Sequence, residues 1–187
     1  MATTPEVLTR VRQRSGVSYP VLIPNTKGLE NLLQIHGSSS APIVDEIAIF
    51  TAASDSFNQA NTNKTVQESL RELEKVVSLA KENGLRIRGY VSTVITCPFE
   101  GPIEPKRVRQ VGKELLDMGC YEVSLGDTVG TGTETTVKAL MEEVGRSLPM
   151  NRLAVGHGLT PCTKKELIPC FCALPGACTP AHASQRE

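Results

Sequence analysis

From about residue 17 to 156 the sequence alternates five times between a short apolar run and a helical pattern, always in the same phase. This alternation constrains the fold most, because strands separated by helices build a parallel sheet with helical crossovers. The runs are Tyr19-Pro20-Val21-Leu22-Ile23, Glu46-Ile47-Ala48-Ile49-Phe50, Leu85 to Ser92, Tyr121-Glu122-Val123-Ser124-Leu125 and Arg152-Leu153-Ala154-Val155-Gly156. The second is nearly continuous in apolar character, as expected for a strand covered on both faces.

Helices are expected around 28–35, 66–80, 105–118 and 135–147, with a further amphipathic segment from Pro5 to Val11. The clearest begins at Thr65-Val66-Gln67-Glu68, a capping box whose two side chains satisfy free N–H groups of the first turn. Val66, Leu70, Leu73, Val77 and Ala80 then form one apolar stripe. Asn83-Gly84 closes the helix in the manner of a left-handed cap, and Pro105 and Gly119 bracket the next one.

Periodicity leaves open whether the sheet is doubly wound or part of a closed barrel. No G-x-G-x-x-G follows a strand, so a dinucleotide site has no support. A closed barrel takes eight units in about 250 residues, and five units are expected within these 187 residues.

Lysine plus arginine equals aspartate plus glutamate, 20 against 20, which removes the broad attraction a nucleic-acid binder relies on. The basic run Lys106-Arg107-Val108-Arg109 reads as a solvated helix face. No stretch approaches the roughly 20 apolar residues of a membrane span. Arg10, Arg12 and Arg14 allow a presequence, but their surroundings read better as an ordinary amphipathic helix, so no targeting segment is expected. Cys97 and Cys120 lie in the patterned body, whereas Cys162, Cys170, Cys172 and Cys178 crowd the tail without zinc-type spacing; reduced thiols are the expectation.

Four strand-and-loop segments resemble hydroxymethylglutaryl-CoA lyases. Tyr19-Pro20-Val21-Leu22-Ile23-Pro24-Asn25-Thr26-Lys27-Gly28 is similar to the third strand and loop of that family. Ile49-Phe50-Thr51-Ala52-Ala53-Ser54-Asp55-Ser56-Phe57, with Asn61 and Asn63 beyond, resembles the fourth. Arg88-Gly89-Tyr90-Val91-Ser92 through Cys97-Pro98-Phe99-Glu100-Gly101 resembles the fifth, and Gly119-Cys120-Tyr121-Glu122-Val123-Ser124-Leu125-Gly126-Asp127-Thr128-Val129-Gly130 the sixth. The resemblance covers about residues 5 to 155.

The resemblance implies an α/β fold, a partial (β/α)8 TIM barrel of about five βα units corresponding to strands three to seven. Residues 1–156 would form the lyase domain and 157–187 a disordered tail outside the family pattern. It further implies Mg²⁺- or Mn²⁺-dependent cleavage of 3-hydroxy-3-methylglutaryl-CoA to acetyl-CoA and acetoacetate, in leucine catabolism and ketone-body metabolism. The implied partners are an acyl-CoA substrate and either a second copy or a full-length homologue. The implied compartment is mitochondrial, or cytoplasmic if the chain is made as given.

Arg-Asp-Gly and Val-His-x-His-Asp-Thr, which supply the family's metal ligands, do not occur here. The two histidine positions fall on Gly156 and Gly158, with His157 between them. Alternate side chains of a strand face opposite ways, so His157 is expected to point away from the metal, and little or no lyase activity is expected of the chain. The remaining candidates for a substrate pocket are Asp127, Thr128, Cys97, Ser92, Arg88, Asn61 and Asn63, most of them at or beyond strand ends. Each has a plainer role to weigh against it: Asp127 as a turn cap, Cys97 as a buried small hydrophobe, the asparagines as turn and cap residues.

Overall fold

The computed structural model describes residues 4–12, 14, 16–37 and 44–157. Five parallel strands form one sheet in the order β1-β2-β3-β6-β7: β1 (Val21–Leu22), β2 (Glu46–Ala52), β3 (Arg86–Ser92), β6 (Glu122–Asp127) and β7 (Leu153–His157). A two-stranded antiparallel hairpin, β4 (Thr96–Cys97) and β5 (Gly101–Pro102), interrupts the loop after β3. The helices are α1 (Thr4–Arg10), α2 (Thr26–Gly37), α3 (Asp55–Thr62), α4 (Val66–Glu82), α5 (Pro105–Met118) and α6 (Glu134–Val144), and a 3-10 turn, Met150–Arg152, leads into β7. None of the described helices is long and apolar enough to cross a membrane.

Strand order follows chain order, with one or two helices at every crossover. This is the arrangement of consecutive βα units, a partial TIM barrel. Alternation sorts the strand side chains into two sets. Ile47, Ile49, Ile87, Val91, Val123 and Leu125 are buried in the core that Leu70, Leu73 and Val77 of α4 and Val108 and Leu115 of α5 also enter. The other parity carries Glu46, Arg86, Arg88 and Glu122, so the inner face of the partial barrel is charged. Glu46 is 2% exposed and accepts from Arg86 Nη2 (2.6 Å), Ser18 Oγ (2.8 Å) and Tyr121 Oη (2.8 Å). The Arg86 guanidinium also lies over the Tyr121 ring, 5.0 Å from its centroid.

Gly89 explains how α5 comes so close to β3. A Cβ there would lie 3.2 Å from both Cys120 Sγ and Leu115 Cδ1, contacts only glycine leaves free. The capping box at Thr65 forms as expected, Thr65 Oγ1 accepting from Glu68 N while the Glu68 carboxylate accepts from Thr65 N.

Several boundaries differ from the sequence reading. The first strand is two residues, Val21–Leu22, rather than the run from Tyr19 to Ile23, because it pairs only with Ile47 and Ala48. Asn83 ends α4 with φ −98°, and the left-handed residue is Gly84 at φ +71°. Helix α3 was not foreseen: at eight residues, with a polar surface and Asn58 its only buried side chain, it has no apolar stripe to read. The hairpin escaped for a similar reason, its strands being two residues each. The expected disordered tail lies outside the described residues except for its first residue, His157, which ends β7; Gly158 and the tail cysteines are also outside.

Candidate active-site end

In a parallel βα sheet the chemistry lies beyond the C-terminal strand ends, where the loops converge. Here those of β2, β3 and β6 are stitched together. Ala53 N donates to Ser92 O (3.0 Å), and Val94 N donates to Gly126 O (3.2 Å). Thr128 Oγ1 accepts from Thr93 N (2.9 Å), and Thr131 Oγ1 donates to Thr96 Oγ1 (2.7 Å). Thr93 sits at φ +57°, a region where a β-branched residue is strained, and it is fully buried. Its hydroxyl donates to Ser92 O (2.7 Å), and the bond from its N–H to Thr128 helps hold the turn. Ser92 and Thr128 therefore meet at one end of the sheet, joined through Thr93.

Asp127 is buried at that end, but its carboxylate is turned onto its own loop. Oδ1 accepts from Gly130 N (3.1 Å) and Oδ2 from Gly132 N (2.8 Å). A Cβ on Gly132 would lie 2.9 Å from Asp127 Oδ2, so a side chain there would force the carboxylate to move.

Cys97, in β4, is 1% exposed. Its neighbour Ser54 caps α3, accepting from Phe57 N (3.1 Å), and lies 2.8 Å from Glu100 Oε1. Glu100 also accepts from Ser56 N (2.8 Å) and Arg107 Nη1 (2.9 Å). The Ser56 amide, with the Ser54 and Arg107 bonds, outweighs desolvation and holds the Glu100 carboxyl down at about 2. A carboxyl depressed on folding stabilises the fold above its ordinary value of 4.5, and that contribution is lost as pH falls through the folded value. Thermal melts of Glu100→Gln and the parent are therefore expected to differ near neutrality and to converge between pH 4.5 and about 2; a difference constant across that window would refute it.

The other candidates lie elsewhere. Arg88 faces the inner side four residues before Ser92, roughly 13 Å along the strand. It pairs with Glu122; desolvation is the largest single influence and lowers the arginine's pKa, but the Glu122 charge, with Tyr121 and the bonds to Tyr90 and Glu122, together raise it. Asn61 is exposed on α3 and donates to Phe57 O (2.9 Å); Asn63 is its left-handed C-cap at φ +56°. Ser54, Thr93 and Glu100 were missed as individual contributors. Only Ser54 had a local signal, a serine three residues before Phe57 N in the position of a helix cap.

A hard divalent ion needs several oxygen or imidazole donors converging on one point. Among the described residues no group of three or more His, Cys, Asp or Glu side chains is so placed. Asp127 has both oxygens committed to amides, and Gly156, register partner of Gly126, has no side chain to offer. His157 is the register partner of Asp127 on β7. The described residues do not fit a Mg²⁺ or Mn²⁺ centre.

Residues 17–157 match the family model described as HMGL-like. The 3-hydroxy-3-isohexenylglutaryl-CoA/hydroxy-methylglutaryl-CoA lyase of Pseudomonas aeruginosa is 44% identical over 157 residues, 84% of this chain and 50% of that protein. The crystal structure of the HMG-CoA lyase from Brucella melitensis superposes with TM-score 0.77 at 44% identity, over 83% of this chain and 52% of that one. An HMG-CoA lyase from Acinetobacter baumannii in complex with coenzyme A and 3-methylmalate gives TM-score 0.72 at 25% identity, over 82% and 48%. The chain spans about half the length of the relatives it matches. With the match across all five parallel strands, the chain belongs to the HMGL-like family and has its partial TIM-barrel fold.

Proposed function

We propose that this chain carries an acyl-CoA-facing portion of a 3-hydroxy-3-methylglutaryl-CoA lyase barrel and does not by itself cleave the carbon–carbon bond. Cleavage requires a base for the tertiary hydroxyl proton and an acid for the acetyl-CoA carbanion. A divalent ion, where bound, polarises the substrate oxygens. One observation carries the reading. The loops of β2, β3 and β6 gather Ser92 and Thr128 at the end where such a substrate would sit, yet the buried carboxylate there, Asp127, has both oxygens engaged by Gly130 and Gly132. Those two amides hold the carboxylate against its own loop.

Purified chain incubated with 3-hydroxy-3-methylglutaryl-CoA and Mg²⁺ or Mn²⁺ is expected to release no acetoacetate; metal-dependent turnover above the blank refutes this. Calorimetric titration with coenzyme A is expected to saturate, and an absence of binding heat at millimolar ligand counts against the acyl-CoA-facing role.

A second reading, pairing with a full-length homologue or another copy, is favoured by the sheet edges. Leu22 on β1 is 46% exposed and Val155 on β7 is 38% exposed, at the two ends of the parallel sheet. Edge strands with apolar side chains invite pairing. Co-purification with a full-length lyase supports this reading, and a monodisperse monomer in its presence overturns it. Participation in leucine and ketone-body catabolism follows the lyase reading, with the compartment mitochondrial by resemblance or cytoplasmic if the chain is made as given.

A further inference from the structure

The hairpin after β3 is held to two other elements by one carboxylate. Glu100 reaches Ser54 and Ser56 at the start of α3 through Oε1, and Arg107 on α5 through Oε2. The charged groups facing it are Arg107 and, 3.9 Å beyond on the same guanidinium, Asp55. Cys97 lies against the same serine, Sγ 2.9 Å from Ser54 Oγ, with Phe99 N donating to the sulfur at 3.4 Å.

Counting protons decides the direction of the Ser54–Cys97 contact. A serine hydroxyl has one proton and two acceptor lone pairs. Phe57 N donates to one lone pair. Glu100, ionised with its carboxyl held down at about 2, only accepts, and a charge-assisted bond outcompetes a sulfur acceptor. The Ser54 proton therefore goes to Glu100, and a lone pair is left facing Cys97. The sulfur completes the chain by giving its S–H to Ser54.

We propose that Glu100 is a positioning residue which, through Ser54, fixes Cys97 as a hydrogen-bond-donating thiol and latches the 94–102 loop against α3 and α5. Cys97 is then a guarded thiol, reached by an electrophile only when this loop lifts. The arrangement stands whether or not the chain binds acyl-CoA, and its test needs no substrate.

Cys120 supplies an internal control. It is fully buried in the core beside the Gly89 backbone, so its alkylation reports opening of the fold rather than of the loop. Site-resolved labelling of the intact chain with iodoacetamide should show Cys97 reacting about tenfold faster in Glu100→Ala than in the parent, a larger factor than that of Cys120, which follows only the loss of global stability. Glu100→Gln, whose amide oxygen still accepts from Ser56 N, is expected in between. Labelling of Cys97 that stays at the parental rate, or that rises in step with Cys120, overturns the latch. Infrared spectra give an independent readout: the S–H stretch lost in Cys97→Ala should lie at the lowered frequency of a donating thiol. A band at the free-thiol position overturns the proton assignment.

Discussion

Leu115→Ala is expected to lower the free energy of unfolding by about 3–4 kcal/mol. Leu115 is fully buried on α5, and its Cδ1 would lie 3.2 Å from a Cβ on Gly89 of β3, so it fills the space a strand side chain would otherwise take. Truncation loses the transfer energy of the removed carbons and leaves a cavity. Little can collapse into it, because Gly89 has nothing to extend and Cys120 already abuts the same backbone. Domains of this size are stable by only about 5–15 kcal/mol, so the change consumes a large share of the total. Urea denaturation followed by circular dichroism measures it, as a lower midpoint with an unchanged slope. A loss below about 1 kcal/mol would show that α5 does not seat on β3 as described.

Glu46→Ala is the second large effect, expected at about 2–3 kcal/mol and of different origin. Breaking a fully buried pair costs roughly 3–5 kcal/mol because the surviving charge is stranded. Here the stranded group is Arg86, whose side chain is 53% exposed and recovers water, so the cost is discounted. Tyr121 is the other loser. Burial, aided by the bond to Glu46, pushes its phenol up to about 12, and the variant leaves that hydroxyl without its acceptor. Glu46→Gln keeps an oxygen and an amide in the same space and should cost less than the alanine variant. Urea midpoints in 0.05 and 0.5 M salt would separate the contributions. A Glu46→Ala effect that vanishes at high salt would mean that the network is a surface ion pair.

The two variants probe two ways in which residues declare themselves. The helix that carries Leu115 was legible in advance, opened by Pro105 and closed by Gly119, and it formed with those limits and with Leu115 on its buried face. Glu46 was read only as the first residue of an apolar strand. Its partners Ser18, Arg86 and Tyr121 are 28, 40 and 75 residues away, and no local pattern announces a contact made across such distances.

The candidate site divides in the same way. Ser92, Asp127 and Thr128 could be placed near strand ends because the strands were visible, but not what each side chain would do there. Thr128 reaches Thr93 across 35 residues, and Asp127 turns onto its own loop, an outcome weighed beforehand as a turn cap. Arg88, a pocket candidate on β3, faces inward but pairs with Glu122 well short of the strand end. Glu100 stood inside a recognised motif, but its role depends on Ser54, 46 residues earlier.

The sequence by itself determined the βα order, the parallel sheet and the family, because all three rest on local periodicity, caps and contiguous motifs. Tertiary structure alone decided which polar groups are free to act. A hydroxyl or carboxylate has a fixed number of protons and lone pairs, and whether a loop amide or a distant side chain takes them is settled only when the chain closes in space. At the end of β6 loop amides bond to both oxygens of Asp127, a contact that neither the strand pattern nor family membership disclosed.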